Sequence, residues 1–328
     1  MKLKLKGSLL LALLMSFTVL ASACGDKAGN SNTTDSGAAA GGNSTADTKQ
    51  ERVLTDALGH EVKVPANPQR IIASYLEDHL LTLGVKPVAQ WSTGKGSVQY
   101  YLQDQLNGIP EISYDLPYEA VMSFTPDLII LSSADMATDD KYEQYSKIAP
   151  TYVVGKEKSN NWREELKAVG EVLGKSKEAE EAVQAYDKKA AEAKEQLQKT
   201  IGTHTAAALW VTGKDIYVSS DHLSSGSVLY DDLGLAKPKL VEELSKTGTV
   251  SWNQVSMEKF AQMDADYLFI VNSRGVSKDE LLKDPVWANI PAVKEGHVYE
   301  FDDHSSWLYS GTIANTQIID DVLSNVVK

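Results

Sequence analysis

The chain has 328 residues, 42% of them hydrophobic and 23% charged, with 10 Pro; this is about twice a typical domain and a globular composition, so a single small domain and a disordered or collagen-like chain are excluded. Its 32 basic against 45 acidic residues give a net charge of −13, and Arg52, Arg70, Arg163 and Arg274 are the only arginines, which makes nucleic acid a poor partner for want of clustered positive charge. One cysteine, Cys24, rules out an intrachain disulfide and a zinc site built on several thiolates.

Lys2, Lys4 and Lys6 form a positive leader, Leu9 to Leu20 is an almost unbroken apolar run, and Ala21-Ser22-Ala23 precedes Cys24. The run is too short for a permanent membrane span, which needs roughly 20 apolar residues, so residues 1–23 read as a cleaved secretory signal. Small residues before a lone Cys resemble the bacterial lipobox, with Ala21 where Leu is commoner, and predict lipidation of Cys24. Loss of the three lysines takes the net charge of the mature chain to −16. From Gly25 to about residue 50 no aromatic or branched aliphatic side chain occurs. Such a segment cannot offset its ordering entropy by burial, so 24–50 is predicted to be a lipidated Cys and flexible tether.

The remaining chain repeats itself. Glu119 to Leu131 reads as a short amphipathic helix, a turn with Asp127, and a buried strand; Glu258 to Ile270, with Asp266, has the same Glu-to-Asp step. Leu83-Gly84-Val85-Lys86-Pro87 is echoed by Leu233-Gly234-Leu235-Ala236-Lys237-Pro238, each placing Gly at a helix end. Apolar runs at 70–74, 127–132, 207–211 and 266–271 suit strands covered on both faces by helices. Two lobes of similar topology account for both echoes, with predicted boundaries at 51–160 and 201–328.

Between them, 161–200 reads as two linker helices. The first closes at Gly174; the second starts with Ser176 as N-cap and runs to Lys199, a rod of about 36 Å. Ala182, Val183, Tyr186, Ala190, Ala193 and Leu197 share one face. A rigid connector of this kind predicts small relative motion of the lobes.

Reaction motifs are missing: there is no G-x-S-x-G, no phosphate-binding Gly-rich loop, no H-E-x-x-H and no G-x-G-x-x-G. His60, His79, His204, His222, His297 and His304 are dispersed, so neither catalysis nor a metal site is indicated. Aromatic residues at predicted strand ends remain. In open α/β sheets ligands bind outside the carboxyl ends of strands; that rule selects Trp210, Tyr217, Arg274, Trp307 and Tyr309 in the second lobe, and Trp91, Tyr100, Tyr101, Ser132 and Ser133 in the first. For a single Trp or Tyr the ordinary expectation is core packing, but the polar, Gly-flanked setting of Trp307 argues for a pocket.

Ser225-Gly226-Ser227-Val228-Leu229-Tyr230-Asp231-Asp232-Leu233-Gly234-Leu235, the segment Asp284-Pro285-Val286-Trp287 to Gly296-His297-Val298-Tyr299, and the ending Ser306-Trp307-Leu308-Tyr309 through Asp320-Asp321 resemble the iron-siderophore substrate-binding lipoproteins of Gram-positive ABC importers. The resemblance runs from about residue 52 to the C-terminus and is closest to binders of ferric hydroxamates such as ferrioxamine and ferrichrome. It implies an α/β fold of two Rossmann-like lobes joined by a single long helix, the helical-backbone periplasmic-binding-protein type, with a shallow pocket between the lobes. It implies that Trp210 and Trp307 flank the chelate. Some relatives carry an Arg two residues after the first Trp; Thr212 stands there in this chain, with Arg274 as the available substitute. It also implies that Glu119 and Glu258 dock on an ABC permease in the membrane. The protein is then a lipid-anchored monomer on the extracytoplasmic face, not an enzyme, with no resident cofactor and iron bound only as the chelate. Ferric tris-catecholates, with about three negative charges, suit so acidic a chain poorly; neutral or cationic hydroxamates suit a site of Trp and Tyr faces. A haem or corrin binder using His304 or His222, a zinc or manganese receptor, and a secreted hydrolase stay open as alternatives.

Overall fold

In the computed structural model the described residues are 51–327 except 74, 157–160 and 247–249; the expected signal peptide, the expected lipidation site at Cys24 and the expected tether lie outside them. The chain opens with an antiparallel hairpin of β1 (Arg52–Thr55) and β2 (Glu61–Val64). The first lobe is built on β3 (Ile71–Ala73), β6 (Leu128–Ser133) and β7 (Thr151–Gly155), parallel in the order β3-β6-β7. Beside it, β4 (Gln90–Ser92) and β5 (Glu111–Ser113) pair in parallel. The second lobe is one five-stranded sheet, β10-β9-β8-β11-β12, formed by β8 (Ala206–Thr212), β9 (Asp215–Ser219), β10 (Trp252–Val255), β11 (Tyr267–Asn272) and β12 (Val298–Phe301). Its β8, β11 and β12 are parallel, and β9 and β10 extend the edge antiparallel. Continuous apolar runs occupy the central strands because helices cover both faces: Leu128 to Leu131 and Tyr267 to Val271 are all buried.

The duplicated pattern has a shared structural cause. Asp127 accepts the backbone N–H of Gln69 at 2.7 Å and of Arg70 at 2.9 Å, just ahead of β3. Asp266 accepts the N–H of Thr205 at 2.9 Å, just ahead of β8. Each aspartate precedes a central strand and ties the start of its neighbour, satisfying backbone donors that the ladder has not yet paired. The preceding helices, Tyr118–Ser123 and Met257–Phe260, carry Glu119 and Glu258 in their first turns.

The linker is two antiparallel helices, Trp162–Leu173 and Ser176–Thr200. Asn161 caps the first through Arg163 N–H at 2.9 Å, and Gly174, at φ 66°, closes it. Ser176 is the first helical residue of the second rather than its cap, a role taken by Lys175 without a side-chain bond. The helices touch closely: a Cβ on Gly170 would stand 2.6 Å from that of Ala179. Ala179, Val183, Tyr186, Ala190, Ala193 and Leu197 are the buried face of the long helix, while Ala182 is half-buried at its margin. The C-terminal helix, Thr312–Val326, packs on this rod and also on the first-lobe helix Glu77–Thr82. One apolar cluster therefore runs from Ile71 and Leu128 through Trp162 and the long helix to Leu268 and Ile319, fusing the lobes through a shared core. A second cluster, with Ile72, Ile129 and Tyr145, lies on the other face of the first sheet.

Candidate functional site

Two cavities share one wall, the smaller lying between the lobes and the larger within the first lobe. The smaller, about 160 Å³, is lined by Ser132 of the first lobe, Asn161, Trp162, Arg163 and Glu165 of the linker, and His222, Ser224, Ser251, Tyr309 and Ser310 of the second lobe. The larger, about 600 Å³, is lined by Trp91, Thr93, Tyr114, Ser132, Ser133, Met136 and Tyr145. Tyr75 and Ser132 border both. Of the residues the strand-end rule selects, Trp91, Ser132, Ser133 and Tyr309 stand at these walls.

An aromatic frame holds the place. The Tyr75 ring meets Trp91 edge-on at 4.7 Å, and Tyr309 lies 6.2 Å from Tyr75 and 4.9 Å from Tyr101. Burial pushes the Tyr309 hydroxyl up to about 12, with Asp303 adding to the shift; it stays a protonated donor at neutral pH. Behind Trp91, Glu77 Oε1 accepts its backbone N–H at 2.6 Å.

The arginine at the walls, Arg163, is already engaged. Arg163 donates to Asp187 at 2.7 Å and Asp232 at 2.8 Å, and its guanidinium stacks on Trp162 at 4.5 Å. Burial raises Asp232, against the opposing pull of the Tyr186 hydroxyl at 2.7 Å and of Arg163. Counting both cavities, Glu165, Asp115, Asp135, Asp231 and Asp232 face Arg163 and Lys141, so the cleft carries an excess of negative charge. His222 stands between Asp221 at 3.1 Å and Asp231 at 3.3 Å. Among the described residues no three His, Cys, Asp or Glu side chains gather as a metal cage.

The other expected residues lie elsewhere. Trp307 is fully buried: its ring stacks on Phe269 at 4.9 Å and Phe301 at 4.8 Å, and its Nε1 donates to Asp321 at 2.9 Å. This corrects the expectation of a pocket residue, since the indole turns in, beside the buried Ser306, to fill the gap between two strands and the last helix. Trp210 and Tyr217 sit opposite each other on β8 and β9 with rings 5.1 Å apart, and Trp252 joins them at 6.4 Å. They form a half-buried patch on one face of the second sheet, apart from the two cavity walls. Trp210 Nε1 donates to Ser273 at 3.0 Å, next to Arg274, which is exposed. Thr212 closes β8. Tyr100 stacks on His304 at 3.8 Å, a contact between the lobes outside both cavities. Glu119 and Glu258 are exposed, near exposed Met122 and Met257.

Sequence reasoning missed Tyr75, Arg163 and Trp252. Tyr75 was within reach: it directly follows the run 70–74, and the strand-end rule applied there selects it. Arg163 gave no local signal, because a helix start acquires a cavity only through its neighbours, and Trp252 gave none because an edge strand meets Trp210 only once the sheet is assembled.

A family model described as periplasmic binding protein matches residues 76–304. Among characterised relatives, the iron(3+)-hydroxamate-binding protein FhuD of Bacillus subtilis is 33% identical over 265 residues, covering 79% of this chain and 82% of that one. The probable siderophore-binding lipoprotein YfiY of the same organism is 28% identical over 98% of both chains. Solved structures agree: an FhuD fold-family component of a ferrichrome ABC transporter from Bacillus subtilis superposes with a TM-score of 0.70 at 29% identity, over 84% of this chain and 100% of that one. Staphylococcus aureus SirA, complexed with staphyloferrin B, gives 0.71 at 26%, over 84% and 98%. With a shared fold, a matching model over most of the folded body and relatives aligned end to end, the chain belongs to the periplasmic binding protein family.

Proposed function

We propose that this protein captures a ferric siderophore of the hydroxamate type outside the cell membrane and delivers it, chemically unchanged, to an ABC permease. The observation that carries the reading is the cleft itself: aromatic and hydroxyl walls, an excess of carboxylates, and Arg163 neutralised by Asp187 and Asp232. A chelate with about three negative charges would meet net repulsion there, whereas a neutral or cationic one meets ring faces and hydrogen-bond donors. The names of the relatives point the same way. Trp91 and Tyr309, at the cavity walls, are the chelate contacts in this reading; Trp210, Tyr217, Arg274 and Tyr100, expected from the sequence, line neither cavity. The reading also includes lipid attachment at Cys24, action as a monomer, docking through Glu119 and Glu258, and no catalysis. Intrinsic-fluorescence titration of the mature protein against ferrioxamine B, ferrichrome, ferric enterobactin and ferric citrate tests it, since six Trp supply the signal. Hydroxamates are expected to bind at least tenfold more tightly than the catecholate; the reverse order would overturn the assignment.

A further inference from the structure

The cavity between the lobes is too small for a whole chelate and has acidic walls. Its volume of about 160 Å³ lies below the roughly 300–1,000 Å³ that a drug-sized ligand fills, so what enters it is an arm of a larger molecule. Glu165, Asp231 and Asp232 line it, and Arg163 is the one Arg or Lys among the described residues of its walls. Arg163 is matched by Asp187 at 2.7 Å and Asp232 at 2.8 Å, which leaves Glu165 and Asp231 to set the sign of the space. The Asp231 carboxylate is half-exposed and has His222 at 3.3 Å, so water screens it. The Glu165 side chain is only 17% exposed, and a sheltered carboxylate attracts a cation more strongly because solvent screens it less.

Glu165 is also held in place. It stands in the first turn of the linker helix Trp162–Leu173, and its Oε2 lies 3.2 Å from Nε2 of the buried His79 on the first-lobe helix Glu77–Thr82. The same helix start supplies a second observation. Trp162 lines the cavity, is 4% exposed, and its indole Nε1 has no partner; a buried donor in that condition calls for an acceptor oxygen. Tyr75 and Tyr309 complete the wall with ring faces, which favour a cation further. A carboxylate, an indole N–H and two tyrosines suit an arm that carries an amide oxygen and ends in an ammonium group.

We infer that the interlobe cavity is the seat of a cationic arm and that Glu165 recognises it: among ferric hydroxamates, the protein selects those bearing a terminal ammonium. This rests on the chelate-binding reading above and narrows it from neutral or cationic chelates to cationic ones.

The test uses ferrioxamine B, whose free amine is an ammonium ion at neutral pH, and two derivatives altered at that nitrogen to similar bulk: the trimethylammonium, which keeps the charge, and the acetamide, which loses it. In fluorescence titrations wild type is expected to bind the trimethylammonium form at least tenfold more tightly than the acetamide. Glu165→Gln should reduce that ratio at least fivefold while acetamide affinity stays within threefold of wild type, an outcome that a merely structural glutamate would not give. Asp231→Asn, at an exposed side chain, should change the ratio less than threefold. Equal affinity of wild type for the two derivatives overturns the cationic seat and leaves the chelate reading standing. A full ratio retained in Glu165→Gln, or a ratio lost in Asp231→Asn, overturns the assignment to Glu165, and the second of these holds even where Glu165→Gln does not fold. Failure of wild type to bind ferrioxamine B at all overturns the chelate reading and this inference with it.

Discussion

Asp78 of the first lobe caps a helix of the second: its carboxylate accepts the backbone N–H of Ala314 at 2.9 Å, inside the first turn of Thr312–Val326. Ile313 N–H at 3.0 Å, the Tyr101 hydroxyl at 3.1 Å and the Thr82 hydroxyl at 3.4 Å also donate to it. The helix has no side-chain cap of its own, since Gly311 occupies that place. A Cβ at Gly311 would collide with the Asp78 carboxyl, and its φ of 150° also disfavours other residues. The two lobes are thereby pinned at a point beside the cleft, which, with the shared core, limits their relative motion.

Replacing Asp78 with Ala leaves buried N–H groups unpaired and should lower unfolding stability by about 2 kcal/mol. Asp78→Asn should recover part of this, because an amide oxygen still accepts one of the bonds. Gly311→Ala is expected to cost at least as much as Asp78→Ala. Urea unfolding of the three variants checks the order; an Asp78→Ala protein as stable as wild type would remove the pin.

Beside it, burial raises the Glu77 carboxyl from 4.5 to about 7, outweighing the Trp91 N–H that favours the ionised form. The folded state thus holds this proton more tightly than the unfolded chain. The group's stabilising contribution is complete below about pH 4.5 and is lost as pH rises through about 7, on the order of 3 kcal/mol in all. Glu77→Gln keeps an acceptor for Trp91 and cannot titrate. Its stability should fall less than that of wild type between pH 5 and pH 8 in urea melts, and parallel profiles would clear Glu77 of the effect.

Trp307 carries a structural expectation. Trp307→Phe leaves a gap between Phe269 and Phe301 and strands Asp321 without its 2.9 Å donor, so stability should drop by about 2 kcal/mol. Chelate affinity at a temperature where the variant is folded should stay within threefold of wild type. A tenfold loss of affinity at unchanged stability would return the indole to the binding site.

Glu119 and Glu258 sit exposed in the first turns of equivalent short helices. Reversing both to Lys should abolish chelate uptake by cells while leaving affinity of the purified protein unchanged. Normal uptake by the double variant would end the docking proposal.

Cys24→Ala removes the thiol on which the anchor depends. The variant is expected in the culture supernatant rather than the membrane fraction, and continued membrane retention would show that another feature holds the protein.

Much of the architecture was legible because it is written in period and composition. The long helix announces itself in the 3.6-residue recurrence of Val183, Tyr186, Ala190, Ala193 and Leu197, and all five are buried as that spacing requires. The central strands are unbroken apolar runs, and the Glu-to-Asp echo marks two equivalent helix-strand units whose aspartates do the same work. Such signals concern an element and its own axis, so a linear chain carries them intact.

Which aromatic residues meet the ligand space is a different kind of fact. Trp307 looks like a pocket residue from its neighbours Ser305, Ser306 and Ser310, yet Phe269 and Phe301 arrive from two separate strands to enclose it. Tyr75 is unremarkable in sequence and becomes the shared wall of two cavities only when Trp91 and Tyr309 close around it. Element type, order and buried face follow from local spacing, whereas the direction of a loop side chain depends on which distant groups fill the space beside it, and that is decided only when the lobes pack together.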